Sequence, residues 1–133
     1  MSNPSDPNAS DGGLTSPIAQ QTPLQNQTID QLNDGANTLQ SIIKTTSDLA
    51  TYRAANDEYA AIQDRISTLL NLKLAADTAE MQVLAPAVQQ AKADLDAVLK
   101  NVSKASDLIN GAAKFLGAVD GLITAAKIAA ALV

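Results

Sequence analysis

From residue 88 to residue 133, apolar or small side chains fall at 88, 91, 95, 98, 102, 105, 109, 112, 116, 119, 123, 126, 130 and 133. Steps of three and four in strict alternation gather on one side of an α-helix and on no other regular structure. The run covers more than six heptads, and the only stop signal inside it is Asn110-Gly111. Because the seam keeps its phase across that pair, the spacing predicts a helix over 87–133 with a possible kink at 110–111.

The same logic extends upstream. Thr28-Ile29-Asp30-Gln31 matches a capping box, in which the Thr hydroxyl accepts an amide hydrogen and Gln31 reaches back. Apolar or small residues then follow at 29, 32, 36, 39, 43, 46 and 50. Near 51–58 (TYRAANDE) the phase slips by two residues, and a second face runs Tyr52, Ala55, Tyr59, Ile62, Ile66 and Leu69. Either a break at Asn56-Asp57 or a stutter in one continuous helix accounts for the slip. The acids at 57 and 58 suit a new helix N-terminus and favour the break, with helices over about 28–52 and 56–84. Leu69, Leu70, Leu72 and Leu74 spread around most of a helix, which is expected where two neighbours flank it. Pro86 marks a bend or break, because it lacks an amide hydrogen and its ring clashes with the preceding turn.

Residues 1–27 have another character. They hold four of the five prolines, the Gly12-Gly13 pair and only three sizeable hydrophobes, Leu14, Ile18 and Leu24. Such a stretch cannot offset the entropy of ordering itself and is expected to be a disordered tail. It has no basic segment ahead of an apolar one, so no cleavable signal peptide is expected. The sequence names no compartment: a soluble cytoplasmic protein, one exported by a route that needs no such signal, and a membrane-associated one all fit it. The N-x-S/T triplets at Asn8, Asn26 and Asn101 accordingly carry no expectation of glycosylation.

Composition narrows the chemistry. There is no Cys and no His, which removes thiolate ligands, disulfides, the commonest general base and the commonest metal ligand. The pairs Asp57/Glu58, Asp77/Glu80 and Asp94/Asp96 lie on single helices as solvated charges, whereas acid–base catalysis needs carboxylates in contrasting environments. A net charge of −5, with two Tyr, one Phe and no Trp, gives no basic stripe and no stacking platform for nucleic acid. No phosphate loop, EF-hand or nucleophile elbow occurs. No enzyme, cofactor, metal site or small-molecule substrate is expected. Tyr52 and Tyr59, seven apart, are either core residues or anchors for a partner.

The fold expected is all-α: long antiparallel helices in a bundle or an elongated coiled-coil hairpin. Its function is expected to be helix–helix association, with a protein partner or a second copy of itself. The residues singled out are Phe115, Leu116, Gly117, Val119, Asp120, Gly121, Ile123 and Lys127. On a helical wheel Phe115, Leu116, Val119 and Ile123 form a bulky arc, Asp120 and Lys127 flank it, and Gly117 and Gly121 open a small face at a spacing that permits close helix approach. The alternative is a membrane-active helical protein, exported or not, that engages a membrane surface or inserts 111–133, pore formation included. The segment's length of about 33 Å suffices to cross a bilayer. Its large apolar residues contribute roughly −3 to −5 kcal/mol, and Asp120 with Lys127 opposes that by a similar amount.

Overall fold

The computed structural model describes residues 21–131, and among them there are four α-helices and no strand. They are α1 (Pro23–Thr45), α2 (Leu49–Asn71), α3 (Ala79–Lys100) and α4 (Ala105–Ala131). The fold is the expected all-α bundle. Residues 1–20 of the expected tail, and Val133 of the seam, lie outside the described residues.

The helix boundaries differ from those read in the sequence, each for a physical reason. The capping box forms six residues early, at Thr22 and Gln25. The Gln25 amide donates to Thr22 Oγ1 at 3.3 Å, and the Thr22 amide donates to Gln25 Oε1 at 2.9 Å. Pro23 occupies the first helical position, where its fixed φ suits the helix and its missing N–H is not needed. Thr28 is already inside the helix, its hydroxyl donating to the Leu24 carbonyl.

The first break falls at 46–48 and not at 56–57. Asp48 caps α2 by accepting from both the amide and the hydroxyl of Thr51, at 2.8 and 2.7 Å. Asn56 and Asp57 sit mid-helix on the exposed side. The second break is the connector 72–78, inside the stretch expected to be helical to 84. Its Leu72 and Leu74 pack against the core without being helical, which disguises the loop as helix in the sequence. Thr78 then caps α3.

Pro86 lies inside α3 without ending it. It faces solvent, where water can serve the Gln82 carbonyl that a Pro86 amide would have bonded. The expected 87–133 helix is divided at 101–104, so its seam folds back on itself as an antiparallel hairpin. The helix runs without interruption through Asn110-Gly111. A Cβ on Gly111 would stand 3.3 Å from Val98 Cγ2 and 3.5 Å from Leu95 Cδ1, so the glycine serves the close approach of α3 and α4.

Consecutive helices pair as two hairpins, α1–α2 and α3–α4, which dock side by side with α1 against α3 and α2 against α4. The connector crosses one end of the bundle diagonally. Within a hairpin the helices are antiparallel; between hairpins α1 and α3 run parallel, since Thr22 and Pro23 lie by Gln82 at one end and Thr38 lies by Leu99 and Lys100 further along. Phe115, Leu32, Leu39, Ile62, Leu69, Met81, Leu95, Leu108 and Leu122 are fully buried along the shared axis. Each contributes on the order of 1.5–3 kcal/mol of transfer free energy.

Two polar devices lock the end where α1 starts. The Gln25 side chain is wholly buried, and its Nε2 donates to the Leu69 and Leu72 carbonyls at 3.4 and 3.2 Å, serving the C-terminus of α2. Asp77, from the connector, accepts the Leu24 amide at 3.2 Å and so places a carboxylate at the N-terminus of α1.

Candidate interaction surface

The residues singled out on α4 divide into three groups. Phe115, Leu116, Val119 and Ile123 point into the core and are consumed by the fold. Asp120 is half-buried and Lys127 exposed. Gly117 and Gly121 lie on the outside, and a Cβ on either would meet nothing within 4 Å.

Asp120 is held by a residue the sequence did not advertise. Arg65 of α2 donates from Nε to Asp120 Oδ1 at 2.9 Å and from Nη2 to Oδ2 at 3.0 Å. A planar guanidinium matched to a carboxylate in this two-point manner fixes orientation as well as charge. The hydrogen bonding to Asp120 raises the Arg65 pKa further above its ordinary value, against the effect of partial burial. One α2 turn and more away, Glu58 is shifted up by burial and by the adjacent Asp57 charge, with Arg65 working against both.

Lys92 forms the second bolt between hairpins. Its side chain is 8% exposed, and Nζ donates to Asp34 Oδ2 at 2.8 Å and to Asp96 Oδ1 at 2.6 Å. Burial alone would lower its pKa; the hydrogen bonds and charges of the two carboxylates outweigh that and raise it. Asp96 therefore turns toward Lys92, the residue one turn before it, and not toward Lys100. Arg65–Asp120 and Lys92–Asp34 tie helices together across the hairpin boundary. Among the described residues no group of three or more potential metal ligands converges.

Away from these ties both hairpins present an outer side, and that of α3–α4 carries one continuous exposed face. On α3, Val83, Ala87, Gln90 and Asp94 succeed one another at helical spacing and are all exposed. On α4, Lys114, Gly117 and Ile128 are exposed, and Gly121 is half-exposed. The contacts of Gly111 with Leu95 and Val98 set the antiparallel register. That register puts Asp94 level with Lys114, Ala87 level with Gly121, and Val83 level with Ala125. Val83 is 75% exposed and Ile128 54%, the two most protruding large apolar side chains on this hairpin. Tyr52, 43% exposed, and Leu49, 60% exposed, stand on the other hairpin at the start of α2. Tyr59 is half-buried and packs on the core.

No known protein family, no curated protein and no solved structure matches the chain.

Proposed function

We propose that this protein is a non-enzymatic association module that binds another helical surface through the outer side of its α3–α4 hairpin. The observation that carries this reading is apolar bulk on one exposed side: Val83 and Ile128 protrude toward one end of the face along which Gly117 and Gly121 carry no side chain. Protruding apolar side chains on a face with side-chain-free stretches are what helix-on-helix packing uses. Arg65, Lys92 and the carboxylates of Asp34, Asp96 and Asp120 are engaged in holding the bundle together.

The test is site-specific photo-crosslinking in the cells that make the protein. A photoreactive amino acid replaces Val83 in the full chain, and a second version carries it at exposed Gln63 on α2. The reading expects discrete protein adducts from position 83 that position 63 does not give. Equal labelling from both positions would refute it.

A second reading has one specific observation in its favour. α4 is long and apolar enough to cross a bilayer by length and composition, although half of its apolar stretch is buried in the bundle. Insertion would require α4 to surrender Phe115, Val119 and Leu122 from the core and to separate Asp120 from Arg65. Leakage of dye-loaded anionic vesicles distinguishes the readings. Membrane insertion predicts leakage that increases when Arg65→Ala frees Asp120 and loosens α4; association with a helical surface predicts none.

A further inference from the structure

We propose that the end of the bundle formed by the 46–48 and 101–104 loops docks on an anionic lipid surface while all four helices stay folded. This end is separate from the outer side of the α3–α4 hairpin, and the inference stands independently of the reading of that side.

The two loops lie together where α1 and α3 finish and α2 and α4 start, for Ile42, Thr46, Thr51, Val102 and Ser103 line one common hollow there. Each helix brings a cation to this end. Lys44 lies in the last turn of α1, Arg53 in the second turn of α2, Lys100 closes α3 and Lys104 directly precedes α4; all four are exposed. Lys44 and Lys100 suit helix C-termini, where the backbone dipole favours positive charge. Arg53 and Lys104 have no such reason, because they stand near helix N-termini. Asp48 and Asp107 are the acids closest to the tip, and each binds a local hydroxyl, that of Thr51 and of Ser103. Asp96, about as deep as Arg53, is matched by Lys92. The end therefore carries excess positive charge on a chain whose net charge is −5. The acidic middle of the bundle lies more than a screening length away, about 8–10 Å at physiological salt.

Amid these cations stand two apolar groups in the first turn of α2, Leu49 at 60% exposure and Tyr52 at 43%. An aliphatic side chain and a tyrosine ring within a field of Lys and Arg match a lipid interface. The aliphatic group enters the acyl boundary, the ring stays at headgroup level and the cations meet the anionic headgroups. Cations spread over the ends of four helices fit a plane of diffuse negative charge and not one compact anion. The opposite end of the bundle also exposes apolar side chains, Leu70 and Val83, but there Lys73 and Lys127 are offset by Asp77 and Glu80. Charge distinguishes the two ends.

The test is sedimentation of the full chain with vesicles of equimolar phosphatidylserine and phosphatidylcholine, and with phosphatidylcholine alone. The protein is expected to bind the anionic vesicles only, to leave them in about 0.5 M salt, and to release no trapped dye. The double variant R53Q/K104E should lower partitioning by about tenfold or more. Its helix content by circular dichroism should be unchanged, since an acid directly before α4 suits a helix start. The chain has no Trp, so Leu49→Trp provides a lone fluorescent reporter. Its emission should shift to the blue on anionic vesicles, whereas that of Gln63→Trp, at an exposed site midway along α2, should not. Equal binding to both vesicle types, binding indifferent to R53Q/K104E, or an L49W emission that stays water-like overturns the inference. Dye leakage on binding overturns it too, by assigning the contact to insertion of α4. Lys104-dependent binding to polyglutamate without binding to vesicles also overturns it, by making the occupant an acidic polypeptide.

Discussion

Arg65 and Asp120 meet through two hydrogen bonds of 2.9 and 3.0 Å, joining the second helix of one hairpin to the second helix of the other. In the sequence, Asp120 reads as an obstacle to membrane insertion. In the folded chain it is one half of a fastening whose other half lies fifty-five residues earlier.

Removing that fastening should cost little by itself, because both groups retain contact with water. Arg65→Ala and Asp120→Ala, combined in a double-mutant cycle, should show a coupling of about 1 kcal/mol that shrinks in 0.5 M salt. Urea denaturation at two salt concentrations measures it. A coupling unchanged by salt would mean that the contact acts by packing and not by charge.

Lys92 should behave differently, since its stem is buried. Lys92→Ala deletes the stem and should destabilise by about 2–3 kcal/mol, whereas Lys92→Met keeps the stem and lets water take over the two carboxylates, costing roughly half as much. The pH dependence follows in sign. The folded pKa of Lys92 is raised, so its charge stabilises the fold fully below the ordinary lysine range, and that contribution is lost as pH rises through the folded value. Denaturation midpoints from pH 8 to 11.5 should fall more steeply for the wild type than for Lys92→Met.

Gln25 joins the start of α1 to the end of α2 from a position with no solvent access. Gln25→Leu keeps much of the volume but strands the Leu72 carbonyl and the Thr22 amide and leaves the Leu69 carbonyl with only the Leu72 amide. The expected loss is about 2–4 kcal/mol. Hydrogen exchange should localise it, with protection falling first at both helix ends beside residue 25.

Glu58 should show the opposite behaviour to an ordinary paired carboxylate. Its folded pKa is raised by burial and by Asp57, so the charged form opposes folding once pH exceeds the unfolded value. Glu58→Gln should therefore raise Tm at pH 7, and the difference should vanish below about pH 4, where both states carry a neutral side chain. A Tm that drops at pH 7 would show that the attraction of Arg65 outweighs burial.

Pro86 sits in a helix interior at an exposed position. Pro86→Ala should restore the bond to the Gln82 carbonyl and stabilise the fold by about 1–2 kcal/mol, once the stiffer unfolded chain given by proline is set against it. Thermal unfolding followed by circular dichroism would show it as a higher Tm.

The sequence disclosed which side of each helix is buried far better than it disclosed where helices stop. Leu32, Leu39, Ile62, Leu95, Leu116 and Val119 were readable as core because burial imposes the helical period directly on their spacing. The breaks at 46–48, 72–78 and 101–104 contain neither Gly nor Pro. Two of them carry apolar residues, Leu72, Leu74 and Val102, that pack against the core and so mimic helix. The residues that did look like punctuation, Pro86 and Gly111, serve other ends: one is tolerated by solvent and the other admits a neighbouring helix. Asp48, three residues before Thr51, was an available capping signal that the phase slip at 51–58 obscured. The bolts were illegible for a different reason. Nothing local to Arg65 or Lys92 foretells that docking of the hairpins will bring Asp120 and Asp34 to them.

The diagonal connector 72–78 sets an order of events during synthesis. The α1–α2 hairpin emerges from the ribosome with Leu32, Leu39, Ile62 and Leu69 facing a side that only later residues cover. Until α3 and α4 have followed, those apolar side chains lack their cover, and transiently exposed apolar surface of this kind favours aggregation. A ribosome paused within α3 would therefore be a more hazardous event for this chain than one paused near its end.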